Sequence, residues 1–237
     1  MITLNPVYNS INFKHYRHDL LNKSGKVINR GDTCFFRTDL DFNYLINYLE
    51  FKYCDTDKVN IIAHASSDGE EVYSLISTML HSLGIKPAKK YLPIDARDIE
   101  KEHIKRAQLG HYSFKKFEEY SADSYLGENF SDYFNYLSPR RIKVNPNLKE
   151  YVKFSQSNIL DDVQMIDFNN TVLLARNFWH YIGSDNIKKL AAKLSDRMNK
   201  TSVLVIGDYD KAYGIDNILR RYGFYESQVN NVFEKIK

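Results

Sequence analysis

Two cysteines, Cys34 and Cys54, occur in 237 residues, with no C-x-x-C pair and no zinc-ligand spacing. That excludes a disulfide scaffold, leaves no metal site in view, and predicts a reduced, cytoplasmic compartment. No run approaches the ~18 consecutive apolar residues of a membrane helix. Residues 1–10 lack the basic stretch and apolar core of a signal peptide, so no membrane insertion is expected. Charge of one sign is also scarce. The 33 Lys and Arg against 30 Asp and Glu leave a net charge of +3, with a pI near 8.6. A nucleic-acid-binding domain is expected above a pI of about 9 with its basic residues clustered, so no nucleic acid is expected as partner. No internal repeat and no low-complexity tract interrupts the chain.

What is there is a packed domain. Apolar residues make up 43% and charged residues 27%, as in ordinary globular chains, and the length suits one α/β domain with a small appendage. Residues 1–30 are polar and basic, and His15 and His18 read as part of a surface face. Hydrophobic periodicity then predicts a helix over 41–51, capped by Asp39 or Asp41. A strand follows over 59–63, a helix from 70 to about 84, a strand over 90–94 ending at Asp95, and a helix from about 97 to 109. Residues 111–150 read as irregular and aromatic-rich. Further strands fall at 151–154, 171–175 and 202–206, with helices over 185–199 and 215–222. Strands alternating with helices predict a doubly wound α/β sheet, whose ligands bind at the carboxyl ends of the strands.

The segment Ala65-Ser66-Ser67-Asp68-Gly69-Glu70-Glu71-Val72-Tyr73-Ser74 follows the first predicted strand. Phosphate loops need several glycines and often a lysine; this loop has one glycine and three acids. It suits a cofactor that carries a positive charge and ribose hydroxyls but no phosphate, and S-adenosyl-L-methionine answers that description. A plain strand–helix turn capped by Ser67 or Asp68 is the competing reading. Asp95, at the predicted end of the second strand, is placed to accept hydrogen bonds from two ribose hydroxyls or to cap the next helix. Ser66–Glu71, Asp95, Asn158 and Arg176-Asn177 all fall at predicted strand ends.

Several segments, in order, resemble the CheR-type chemotaxis receptor methyltransferases, which methylate receptor glutamates with S-adenosyl-L-methionine. Thr33-Cys34-Phe35-Phe36-Arg37 is similar to the family's TxFFR element, and the loop through Gly69-Glu70-Glu71 is similar to its GEE loop. Ile94-Asp95-Ala96 with Ala107, Gly110 and Tyr112 matches a third pattern. Tyr133-Phe134, Val152-Lys153-Phe154 and Asn158-Ile159-Leu160 match a fourth, and Ala175-Arg176-Asn177 with Tyr181 a fifth. The resemblance implies a Rossmann-like class I methyltransferase fold with a small inserted β-subdomain over 134–157. It implies a short N-terminal segment with a cofactor-closing element over 1–50, too short for the family's N-terminal helical domain, and a methyltransferase domain over 51–237.

It also implies roles. Thr33 and Arg37 close over the methionine end of the cofactor, with Arg37 on its carboxylate. Ser66 and Gly69 belong to the cofactor loop, and Glu70 faces the amino group or the sulfonium. Asp95 holds the ribose, and Asn158 and Ile159 flank the adenine. Arg176 and Tyr181 line the substrate side as catalytic residues, Arg176 also touching the cofactor. The expected product is S-adenosyl-L-homocysteine, and the expected partner is a protein substrate, a chemoreceptor or related signalling protein. Two other readings stand beside this one: a degenerate cofactor-binding regulatory or scaffold module, and a methyltransferase for a small molecule.

Overall fold

The computed structural model describes residues 33–235 and, before them, the backbone of two short strands. It divides into two units, Met1–Arg30 and Gly31–Lys237. In the first, Leu20–Leu21 pairs antiparallel with Val27–Ile28; the basic stretch with His15 and His18 lies outside the described residues.

The second unit runs in order through α1 (Phe42–Lys52), β1 (Asn60–His64), α2 (Glu70–Leu83), β2 (Ile94–Asp98), α3 (Lys101–Leu109), β3 (His111–Ser113), α4 (Lys116–Leu126), β4 (Phe134–Ser138), β5 (Arg141–Val144), β6 (Val152–Gln156), α5 (Ile159–Asp162), β7 (Thr171–Ala175), α6 (Ser184–Arg197), β8 (Val203–Val205), α7 (Asp208–Ala212), α8 (Ile215–Arg221), β9 (Phe224–Glu226) and β10 (Val232–Lys235). Seven strands form one sheet in the order β9-β10-β8-β7-β1-β2-β6. The pairs β8–β7, β7–β1, β1–β2 and β2–β6 are parallel, and β10 runs antiparallel to both its neighbours. The chain winds outward from β1 to β2 and β6, then returns to β7 on the other flank of β1. In sheets of this kind the ligand crevice lies where the strand order reverses, here at the carboxyl ends of β1 and β7. This is the doubly wound, Rossmann-like class I methyltransferase architecture.

Alternation along the strands builds a core on each face. Ile61, Ala63, Val172 and Leu174 pack on one side, and Ile62, Leu173 and Ala175 on the other. All five residues of β7 are buried, as a central parallel strand requires. Helix α2 buries Val72, Leu75, Ile76 and Met79, a helical-period stripe against the sheet. No helix of the described residues is long and apolar enough to cross a membrane.

Several elements depart from the sequence reading. The second strand runs over Ile94–Asp98, not 90–94, because Pro93 has no N–H for a ladder and pairing begins at Ile94 against Val152. Residues 111–150 are not irregular: β3, β5 and β4 form a three-stranded antiparallel sheet. That sheet ends at Val144, and β6, expected inside a subdomain over 134–157, pairs with β2 in the large sheet. The C-terminal pair β9 and β10 carries no alternation strong enough to be read from so few residues. Helix α1, expected on the far side of a boundary at residue 50, contributes Phe42, Leu45 and Leu49 to the main core.

Candidate functional site

Between β1 and α2 the chain turns through three left-handed residues, Ala65 (φ 55), Ser67 (φ 50) and Gly69 (φ 93). A non-glycine residue in this region costs about 1–2 kcal/mol, so the loop needs outside support. The Ser66 N–H donates to the Arg97 carbonyl at 3.1 Å, and the Ser67 N–H donates to Asp98 Oδ2 at 2.8 Å. Tyr112 donates its hydroxyl proton to the Asp68 carbonyl at 2.6 Å. The Asp68 carboxylate meets Arg106 Nε at 2.9 Å and His103 Nδ1 at 2.5 Å. That hydrogen bond to Asp68 raises the His103 pKa above its ordinary value against the opposing effect of burial. A side chain at Gly69 would press at 3.0 Å on Ala107 and on the Phe154 ring. The loop is thus clamped from β2 and α3 before any ligand arrives.

The carboxylate at the end of β2 is Asp98, not Asp95. Asp95 is the second residue of the strand, level with Ile62, and its Oδ2 pairs with Arg97. Arg97 also pairs with Asp162, which lies 2.7 Å from His64 Nε2. The alternation Ile94, Ala96, Asp98 carries the strand past Asp95, which the sequence reading took for its end. Asp98 is buried beside the loop and accepts the N–H of Ser67 and, at 2.9 Å, that of Glu100. Its carbonyl accepts the Ser157 N–H at 2.9 Å, which brings Asn158 and Ile159 alongside. Asn158 caps α5 through Leu160 N–H at 3.0 Å, and Ile159 is buried.

The opposite wall begins at Thr33, which is partly buried. Phe35 and Phe36 are 1% exposed. Phe35 makes edge-to-face contacts with Tyr112, Phe114 and Phe134 of the small-sheet region, and Phe36 stacks on Tyr125. The Phe35 N–H donates to buried Glu118 at 3.0 Å and the Phe36 N–H to Ser74 Oγ at 2.9 Å. The two rings are anchors, and they deliver the next residues to the crevice. Arg37 Nε lies 3.4 Å from Asp39 Oδ1, and Arg176 Nη2 lies 2.8 Å from the same oxygen. Arg176 Nη1 pairs with Glu71, and the Arg176 side chain is 1% exposed. Asn177 Nδ2 donates to Asp39 Oδ2 at 2.9 Å. Asp41, not Asp39, caps α1, accepting the Tyr44 N–H at 3.0 Å.

Buried Asp210 shapes the turn after β7 by accepting the N–H groups of Asn177, Trp179 (3.2 Å) and Gly207 (2.9 Å). Burial pushes its pKa up to about 6. At Gly207 the Asn177 side chain occupies the place of a β-carbon, so only glycine fits. Tyr181, on a single helical turn over Trp179–Tyr181, is 52% exposed. The His180 ring lies between it and Tyr213, with centroids 3.8 and 4.7 Å away.

The polar atoms left over are the most telling feature. Among the described residues, the buried side-chain nitrogens and oxygens with no hydrogen-bond partner are Asp39 Oδ1, Ser66 Oγ, Glu70 Oε2, Arg176 Nε and Nη2, Asn177 Oδ1, His180 Nδ1 and Asn231 Oδ1. The Arg176–Asp39 contact is an ion pair without hydrogen-bond alignment. Apart from Asn231 Oδ1, these atoms belong to the loop, to the turn after β7, or to Asp39, which is bonded to that turn. Burial raises the Glu70 pKa to about 8, and the neighbouring charges of Asp68 and Glu118 push the same way. Unpaired buried donors and acceptors are rare and costly. A crevice lined with both signs is complementary to a ligand end that carries an ammonium and a carboxylate. Asp98, Asp39 and Glu71 are members of this site that the sequence reading did not assign to it.

Residues 31–223 match the family described as CheR methyltransferase, SAM binding domain. A chemotaxis protein methyltransferase of Listeria innocua is 24% identical over 225 residues, covering 93% of this chain and 79% of that protein. Another of the same name, from Salmonella typhimurium, is 22% identical, covering 80% of this chain and 62% of that protein. Among solved structures, an O-methyltransferase family protein from Burkholderia thailandensis superposes with a TM-score of 0.44 at 9% identity, covering 81% of this chain and 55% of that one. That likeness is too loose to add to the fold that the strand order itself defines.

Proposed function

The chain belongs to the CheR methyltransferase family, whose domain binds S-adenosyl-L-methionine, and we propose that it methylates a carboxylate, the glutamate side chains of a chemoreceptor or related signalling protein. The observation that carries this reading is the set of unpaired buried atoms at the ends of β1 and β7. They fit the amino acid end of the cofactor: Glu70 Oε2 for its ammonium, and the Arg176 Nε–Nη2 edge together with Arg37 for its carboxylate. Thr33 closes over that end, and Ser66 and Gly69 line the loop beneath it. Asp98 takes the ribose role first given to Asp95, and Asn158 and Ile159 flank the adenine. The compartment of this reading is the cytoplasm.

Bound S-adenosyl-L-methionine supplies a methyl group already activated on a sulfonium. An acceptor glutamate is ionised near neutral pH, so the chain need not supply a general base. Its task is to hold the acceptor oxygen in line at near-attack distance and to keep water out. Tyr181, half exposed beside the turn that carries Arg176, is the residue that meets the acceptor. Arg176 is enclosed by Glu71 and Asp39 and acts from behind, steering the acceptor carboxylate by its charge. The same enclosure favours a second reading, a regulatory module that binds the cofactor without using it.

Calorimetric titration with S-adenosyl-L-methionine and S-adenosyl-L-homocysteine, followed by transfer of labelled methyl to chemoreceptor-containing membranes, tests both. The expected result is binding of both ligands and a base-labile label released as methanol, the mark of a carboxyl ester. Binding without transfer selects the regulatory module. A base-stable label overturns the carboxylate acceptor, and absence of binding overturns both readings.

A further inference from the structure

Asp39 follows the T-x-F-F-R element by one residue and sits on no regular helix or strand. Yet its side chain meets three partners in the charged wall. One carboxylate oxygen is shared by two guanidinium groups, Arg176 at 2.8 Å and Arg37 at 3.4 Å. The other accepts Asn177 Nδ2, and the Asp39 carbonyl accepts Asn231 Nδ2 at 3.1 Å. It therefore ties the closing segment to the ends of β7 and β10. Burial alone would raise its pKa, but Arg176, then Arg37 and Asn177, hold it below the usual carboxylate range. Glu71, the other carboxylate on Arg176, is pushed the opposite way by burial.

We propose that Asp39 is a positioning residue that sets Arg37 and Arg176 as a pair to receive the amino acid end of the cofactor. Two guanidinium groups this close repel each other. A carboxylate between them, fixed from Asn177, holds both at one spacing. Without it Arg176 is anchored only through Nη1 on Glu71, and Arg37 loses its hold on the β7 turn. Loss of the negative charge by itself favours a ligand carboxylate held by the two arginines, so weaker binding reads the geometric effect. This inference rests on the reading that Arg37 and Arg176 face the cofactor carboxylate.

The test compares two ligands, S-adenosyl-L-homocysteine and 5′-methylthioadenosine, which shares the nucleoside but lacks the ammonium and the carboxylate. Titrations use the full chain and Asp39→Asn. The expected result is a loss of about tenfold or more in S-adenosyl-L-homocysteine affinity, the scale of a disrupted charged hydrogen bond, with methylthioadenosine affinity unchanged. Asp39→Ser, which leaves room for a water, gives the same split and serves if Asp39→Asn does not fold. Equal weakening of both ligands makes Asp39 merely structural and overturns the proposal, as does unchanged or tighter S-adenosyl-L-homocysteine binding. A wild-type chain with no preference between the two ligands overturns the reading beneath it, and the proposal falls with it.

Discussion

The two sides of the crevice are built on opposite plans. On the β2 side, Asp98, Asp68, His103 and Arg106 are joined to one another or to backbone N–H groups. On the β7 side, Arg176, Asn177 and Asp39 keep buried atoms without hydrogen-bond partners, as do Ser66 and Glu70 of the loop between the two sides. The first side is a rigid seat whose shape is complete without ligand. The second holds charge in reserve, at the cost that unpaired buried groups carry, and recognition by charge belongs there. A flat nucleoside suits the seat and a zwitterion suits the charged wall.

The comparison breaks most visibly at Arg176. Replacing it with Met leaves the Glu71 carboxylate without its cation and Asp39 with Arg37 alone, and removing one partner of a buried pair costs roughly 3–5 kcal/mol. Urea unfolding of Arg176→Met at pH 7 checks this; a loss under about 1 kcal/mol, the range of an exposed pair, would mean that the wall is more open to water than the 1% exposure of the Arg176 side chain indicates.

Glu70 gives the next effect. Its carboxyl, pushed up to about 8, rests largely protonated at neutral pH, whereas the ammonium of a ligand pairs with the ionised form. Affinity for S-adenosyl-L-homocysteine then rises with pH by up to about tenfold per unit below pH 8 and levels off above it. The Glu70→Gln profile is flat over that interval. Titrations at pH 6, 7 and 8 decide it, and a wild-type profile as flat as the variant's removes Glu70 from ligand recognition.

The smallest expected effect sharpens the seat. Asp98→Ala weakens methylthioadenosine binding about tenfold, since it removes the acceptor that braces the Ser67 N–H as well as a strand-end carboxylate. Asp95→Ala, whose carboxylate serves Arg97, changes the same affinity by less than about threefold, the scale of a partly exposed ion pair. The reverse order would restore Asp95 to the ribose.

Much of the seat was legible in the residues. The loop around Gly69, the apolar run of β7 and the position of Asn158 all came from local pattern. Asp95 was misread because Asp95 and Arg97 are polar, and a polar residue after an apolar run looks like the end of a strand. They neutralise each other on one face while Ile94 and Ala96 continue on the other. The small sheet was missed because its strands are short and β4 exposes all but its first residue. Asp39 stood beside Asp41 as a candidate cap because both lie near α1, and nothing local distinguishes a cap from a partner of Asn177, 138 residues away.

The order of apolar runs and turn residues determined an alternating α/β chain with its loop after β1, because burial periodicity and turn chemistry are local. Which strand lies beside which, and which carboxylate meets which arginine, were decided only by tertiary structure. Pairing of β6 with β2, or of Asp39 with Arg176, depends on distances between segments remote in sequence. Coulomb and desolvation energies depend on those distances and on burial, and neither is a property of a residue taken alone.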